Sequence, residues 1–330
     1  MFSLHQKPYS KRSLVFTVSL MLLFAVLVSG CGAEQAPSNA AGAQSKNTEE
    51  AAPEAPQFKT VSTVNGDIEI PVHPKRIVAE EYLGSLIALD VIPVGSPGVT
   101  IENYYFKEAL AGVADTGVYG KPSAENIISL SPDLIITGNG DSYEQLSKIA
   151  PTVVIPYGEL KNAHEELTYF GDLLGQEDEA KAWLEEYDLR IATAKSKVDK
   201  AIPEGATFSI MEYSDKTTWV YGDNFGRGGQ PIYQTLGRKP PVGIADEIMK
   251  KQWAEISSEM LPTYAGDYII MTSNTRTLEE FQNDPIWGNL PAVKNGQIYI
   301  WPEDRSWYYD PIAVLAQSEE LSEWLVNRGK

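Results

Sequence analysis

The chain has 330 residues, 45 acidic against 27 basic, one cysteine and three histidines, for a formal net charge of −18 at pH 7. That balance counts against nucleic acid or an anionic membrane surface as a partner, since both call for basic patches. One cysteine excludes an internal disulfide, and the length is enough for two lobes of ordinary domain size.

In chain order, Lys7, Lys11 and Arg12 make a basic start, and Leu14 to Val28 form an apolar run without a charge. The run is too short for a comfortable membrane span and is followed by small residues, so 1–30 reads as a secretory signal. Its removal takes away three positive charges and leaves −21. The run ends Val28-Ser29-Gly30-Cys31, which resembles the lipobox of bacterial lipoproteins, where cleavage frees the cysteine for acylation. Lipidation gives the lone Cys31 a reason, and stable anchoring then takes more than one acyl chain. Residues 31–57 contain no large apolar side chain and read as a disordered tether.

From Phe58 onward the pattern predicts an α/β fold: a lobe over 58–170, a connecting helix over 171–200 and a second lobe over 201–330. Ser123, Glu125, Asp133, Ile135 and Ile136 recur 134 positions later as Ser257, Glu259, Asp267, Ile269 and Ile270. That period is far too long for a solenoid. In each copy the spacing predicts a Ser N-cap, a Glu in the first helical turn and then a buried β-branched strand. Helix followed by buried strand, twice, predicts two Rossmann-like lobes with largely parallel sheets. Further strands are expected at Arg76–Ala79, Val91–Val94, Thr152–Ile155, Thr207–Met211, Thr218–Tyr221 and Gln297–Trp301. Between the lobes, Ala180, Trp183, Leu184, Tyr187, Ile191, Ala194 and Val198 fall at helical spacing on a stretch free of Gly and Pro, which predicts one long, rigid helix.

Lipobox, acidic tether, Pro74-Lys75-Arg76-Ile77-Val78, the twin Ser-x-Glu helices and the long helix together resemble the helix-linked substrate-binding lipoproteins of iron-siderophore and cobalamin ABC importers. Trp219 to Gly229 and Trp307-Tyr308-Tyr309-Asp310-Pro311 are similar to segments of the Gram-positive ferric hydroxamate receptors. The resemblance implies ligand contacts at Trp219, Phe225 and Arg227, with Phe225 standing where Trp is usual. It implies further contacts at Tyr308, Trp307, Tyr157 and Tyr82. It also implies that Glu125 and Glu259 sit on the lobe tips and pair with arginines of two permease subunits, and that the protein works as a lipid-anchored, extracytoplasmic monomer.

Those residue types suit that ligand. An arginine fork matches the oxygen edge of a ferric trihydroxamate, and aromatic rings offer stiff contact area for its apolar arms. The chelator fills the iron's coordination shell, so no metal ligand and no cofactor is expected from the protein. Ferric catecholates carry a large negative charge, and near Arg227 only Arg238 and Lys239 could answer it. Cobalamin or haem stays open as an alternative ligand. A receptor for bare zinc or manganese needs a histidine-rich shell, whereas His73 and His164 stand far apart. A lipid-anchored hydrolase is the alternative from another class. The chain has no His-Glu-x-x-His, no Gly-x-Ser-x-Gly and no available catalytic thiol, so no enzymatic activity is expected.

Overall fold

The computed structural model describes residues 57–328; the predicted signal 1–30, Cys31 and the tether up to residue 56 lie outside the described residues. An antiparallel hairpin, β1 (Phe58–Thr63) and β2 (Gly66–Pro71), leads in. The first lobe then runs β3 (Ile77–Ala79), β4 (Gly95–Ser96), β5 (Ala114–Asp115), a short ribbon β6 (Gly117–Val118) and β7 (Lys121–Pro122), β8 (Leu134–Thr137) and β9 (Thr152–Val154). Five of these make a sheet in the order β5-β4-β3-β8-β9, parallel throughout. Strands β3, β8 and β9 are buried on both faces, which is why they read as continuous apolar runs. The expected strand Val91–Val94 is displaced: Pro93 has no N–H to give, and the ladder is made by Gly95–Ser96 just beyond it.

The second lobe contains β10 (Phe208–Ser214), β11 (Thr217–Tyr221), β12 (Trp253–Ile256), β13 (Tyr268–Thr272) and β14 (Ile298–Trp301), ordered β12-β11-β10-β13-β14. Here β10, β13 and β14 pair in parallel, while β11 runs the other way and pairs antiparallel with both β10 and β12. The chain reverses at Asp215 and Lys216, which take φ of 48° and 68°, as a two-residue hairpin turn of the primed type requires.

The sequence repeat has a structural counterpart. Strands β8 and β13 each pair in parallel with the first strand of their lobe's sheet. Asp133 accepts hydrogen bonds from the N–H groups of Lys75 (2.8 Å) and Arg76 (2.9 Å) at the entry to β3. Asp267 does the same for the N–H and hydroxyl of Thr207 (2.8 and 2.9 Å) at the entry to β10. The copies differ at their helices. Ser123 caps the helix Ala124–Ser129 by accepting from Asn126 N–H at 3.3 Å. Ser257 makes no side-chain cap, because the second copy opens with a 3₁₀ turn, Ser258–Met260, before the helix Leu261–Tyr264.

The helix Ala163–Leu174 ends on Gly175, whose φ of 67° no branched residue tolerates cheaply, and the long helix runs from Glu177 to Ala201. Ala180 joins the first lobe's core, Tyr187 packs with Val314 and Leu315, and Ala194 and Val198 join the second lobe's core. The C-terminal helix Pro311–Arg328 also contributes to both sides, with Ile312 against the first core and Leu321 and Leu325 in the second. Among the described residues no helix is long and apolar enough to cross a membrane. In both sheets the chain leaves the central strand toward opposite edges, so a crevice opens at the carboxyl ends of β3 and β8 in one lobe and of β10 and β13 in the other.

Candidate functional site

A cavity of about 580 Å³ lies where those strand ends face each other, a size usual for a small-molecule site. Tyr82, Tyr119 and Tyr157 form the first lobe's side; Phe225, Arg227, Trp307, Tyr308 and Tyr309 form the second's. Tyr157 meets Phe225 at 6.3 Å and Tyr309 at 5.8 Å between ring centres, both edge to face, so the two lobes touch through aromatic edges. Tyr157 and Trp307 nonetheless keep 57% and 43% of their surface accessible, which leaves broad apolar faces open to an occupant. Desolvation raises the phenols of Tyr82, Tyr157, Tyr308 and Tyr309 above the ordinary tyrosine value. Their hydroxyls therefore stay protonated and able to donate. Tyr82 spends its own on the Ile155 carbonyl at 3.0 Å.

Arg227 sits in the loop that follows β11. Gly226, at φ 77°, lets the backbone pass so close to the Trp307 carbonyl that a side chain there would overlap it. Arg227 itself is left-handed, at φ 59°, and its N–H donates to the Ser306 carbonyl at 2.6 Å. Such strain in a non-glycine residue costs about 1–2 kcal/mol and persists only where the surroundings fix it. The guanidinium is stacked 4.8 Å from the ring centres of both Tyr221 and Trp307, and Nε donates to Glu212 Oε2 at 2.9 Å. Glu212, in the middle of β10, neutralises Arg227 in part and also accepts from the Tyr221 hydroxyl at 2.6 Å. What is left for a ligand is the terminal edge of the fork, where one nitrogen donates weakly to the Phe225 carbonyl at 3.3 Å.

The cavity also carries carboxylates that sequence reasoning missed. Glu81 is the second residue after β3 and accepts from the Tyr119 hydroxyl. Glu166 is only 3% exposed and accepts from Ser85 Oγ at 2.6 Å. Asp310 caps the C-terminal helix by accepting from Ala313 N–H at 3.0 Å, in a space that exists because residue 84 is glycine. All three line the cavity. Burial pushes Glu166 up to about 8 and Asp310 to about 6, and raises Glu81 as well. A signal for Glu81 was present in the sequence: an acid just after a run of buried strand residues needs a partner or a purpose.

Of the residues expected at a site, the structure gathers Tyr82, Tyr157, Phe225, Arg227, Trp307 and Tyr308 around this one cavity. Trp219 is not among its lining residues. It lies opposite Glu212 in the β10–β11 ladder, with its ring packed on the second lobe's core, and Tyr221, two residues on, takes the place beneath Arg227. Glu125 and Glu259 are exposed, one on each lobe, away from the cavity.

Residues 77–305 match the family described as periplasmic binding protein. The chain belongs to this family. As such, it resembles the iron(3+)-hydroxamate-binding proteins YxeB and FhuD of Bacillus subtilis. It is 35% identical to the first over 96% of this chain and 98% of that one, and 36% identical to the second over 93% and 96%. Among solved structures, the FhuD protein from S. pseudintermedius superposes with a TM-score of 0.73 at 31% identity, covering 82% of this chain and 98% of its own. FhuD2 from Staphylococcus aureus with bound ferrioxamine B gives 0.71 at 32% identity, covering 78% and 100%.

Proposed function

We propose that this binding protein is the extracytoplasmic substrate-binding component of an ABC importer, and that it captures a ferric hydroxamate siderophore and delivers it to the permease. The observation that carries the reading is Arg227, stacked between Tyr221 and Trp307 and steadied by Glu212, at the edge of an aromatic cavity. A guanidinium held this way offers N–H donors to iron-bound oxygens, while the rings take the chelator's apolar arms. The near-neutral charge of a ferric hydroxamate fits a wall that also carries Glu81, Glu166 and Asp310; a multiply anionic ferric catecholate would meet those carboxylates unfavourably. The iron is cargo, held by the chelator, and the protein acts by binding rather than by catalysis.

Around that core stand three further parts of the proposal. Acylation of Cys31 holds the protein to the membrane. The ligand contacts are those implied for Tyr82, Tyr157, Phe225, Arg227, Trp307 and Tyr308. Glu125 and Glu259, exposed on separate lobes, dock to the two halves of the permease. Titrating the purified protein with ferrioxamine B while following tryptophan emission tests the reading, because the exposed Trp307 is in position to report. Saturable quenching by the iron complex and not by the iron-free chelator is expected; no response across a panel of ferric hydroxamates overturns it.

A further inference from the structure

The cavity is electrically lopsided. Its one cationic lining residue, Arg227, is already paired with Glu212 at 2.9 Å. Glu81, Glu166 and Asp310 line the same space, and none of them has a Lys, Arg or His partner among the described residues. Glu166 is the most telling: it is nine-tenths buried, it opens onto the cavity, and Ser85 satisfies Oε2 while no protein donor among the described residues reaches Oε1. Buried acids without counter-charge cost stability and persist where something else makes use of them.

We propose that this wall is a subsite for a cation carried by the ligand, with Glu166 and Glu81 receiving a protonated primary amine at the end of an iron-bound hydroxamate chelator and Asp310 adding to the field. The inference deepens the proposed function and rests on it. Size supports it, since a cavity of about 580 Å³ has room for an arm beyond the iron centre. So does chemistry: an ammonium offers three donors in a compact head, suited to carboxylates that line one cavity from different elements. In the empty cavity desolvation keeps a proton on Glu166, whose pKa is raised to about 8. An ammonium beside it favours the ionised form, and that proton leaves to solvent.

The experiment compares ferrioxamine B, which ends in a free amine, with its N-acetylated form. Acetylation leaves the iron centre, the chain and an N–H in place and removes only the charge. Dissociation constants for both are measured by tryptophan quenching on the wild-type protein and on Glu166→Gln and Glu81→Gln. The expected result is a preference of about tenfold or more for the amine in the wild type, as loss of a charged hydrogen bond brings, and a preference that shrinks in either variant. Equal tight binding of the two ligands by the wild type overturns the cation subsite while leaving the hydroxamate reading intact. A preference that survives undiminished in both variants removes these carboxylates from it. Absence of saturable binding to either ligand overturns the hydroxamate reading and this inference with it.

Discussion

Arg227 and Glu212 are 15 residues apart in sequence and joined by one hydrogen bond at the rim of the cavity. Replacing Arg227 with Ala is expected to raise the Kd for a ferric hydroxamate by about 10- to 100-fold, the cost of a charged hydrogen bond to oxygen, with the far-ultraviolet spectrum unchanged. Glu212→Ala is expected to weaken binding less, and its larger effect is on stability, by about 2 kcal/mol in urea denaturation, because it frees a half-buried charge. Glu166 predicts a pH effect with a definite sign. It holds its proton to about pH 8 when folded, against an ordinary value of 4.5, so folding takes up a proton in that interval and stability falls as pH rises through it. Between pH 5.5 and 8 the Tm of the ligand-free wild type is expected to fall by about 5 °C more than that of Glu166→Gln, a difference of about 2 kcal/mol. Arg227 was legible in the sequence because glycines crowd around it. Its partner was not, since a contact between a loop residue and a strand leaves no mark at fixed spacing.

At the scale of elements, the parallel strands announced themselves by β-branched runs, and the long helix by its apolar stripe from Ala180 to Val198. The antiparallel direction of β11 was harder to foresee, because a strand's direction is set by its turn, and the turn here uses Asp215 and Lys216 rather than Asn-Gly. The bracing role of the last helix was also hidden. Its Arg190–Glu319 link to the long helix is bidentate, at 2.8 and 2.7 Å, yet both side chains are about two-fifths exposed. Glu319→Ala is therefore expected to cost less than about 1 kcal/mol. Leu321, fully buried in the second core, is expected to cost about 3 kcal/mol when cut to Ala. Equal losses for the two variants in chemical denaturation would show that the ion pair contributes as much as packing to holding the helix.

For the molecule as a whole, the repeat centred on Asp133 and Asp267 made two lobes readable, and the structure gives each aspartate the same task of fastening the start of a central strand. Glu125→Ala combined with Glu259→Ala is expected to leave siderophore affinity unchanged and to abolish uptake in cells; normal uptake by the double variant would refute the docking role. Two helices shared between the lobes predict a small rearrangement on binding, which small-angle scattering with and without ligand checks. The last helix has one more consequence, for the order in which the protein is made. Ile312 finishes a core begun by Ile70 and Ile77, and Asp310 settles against Gly84. A ribosome delivers those late residues only after more than two hundred others, so the part of the cavity wall where Asp310 meets Gly84 cannot close until residues 310–312 have been made.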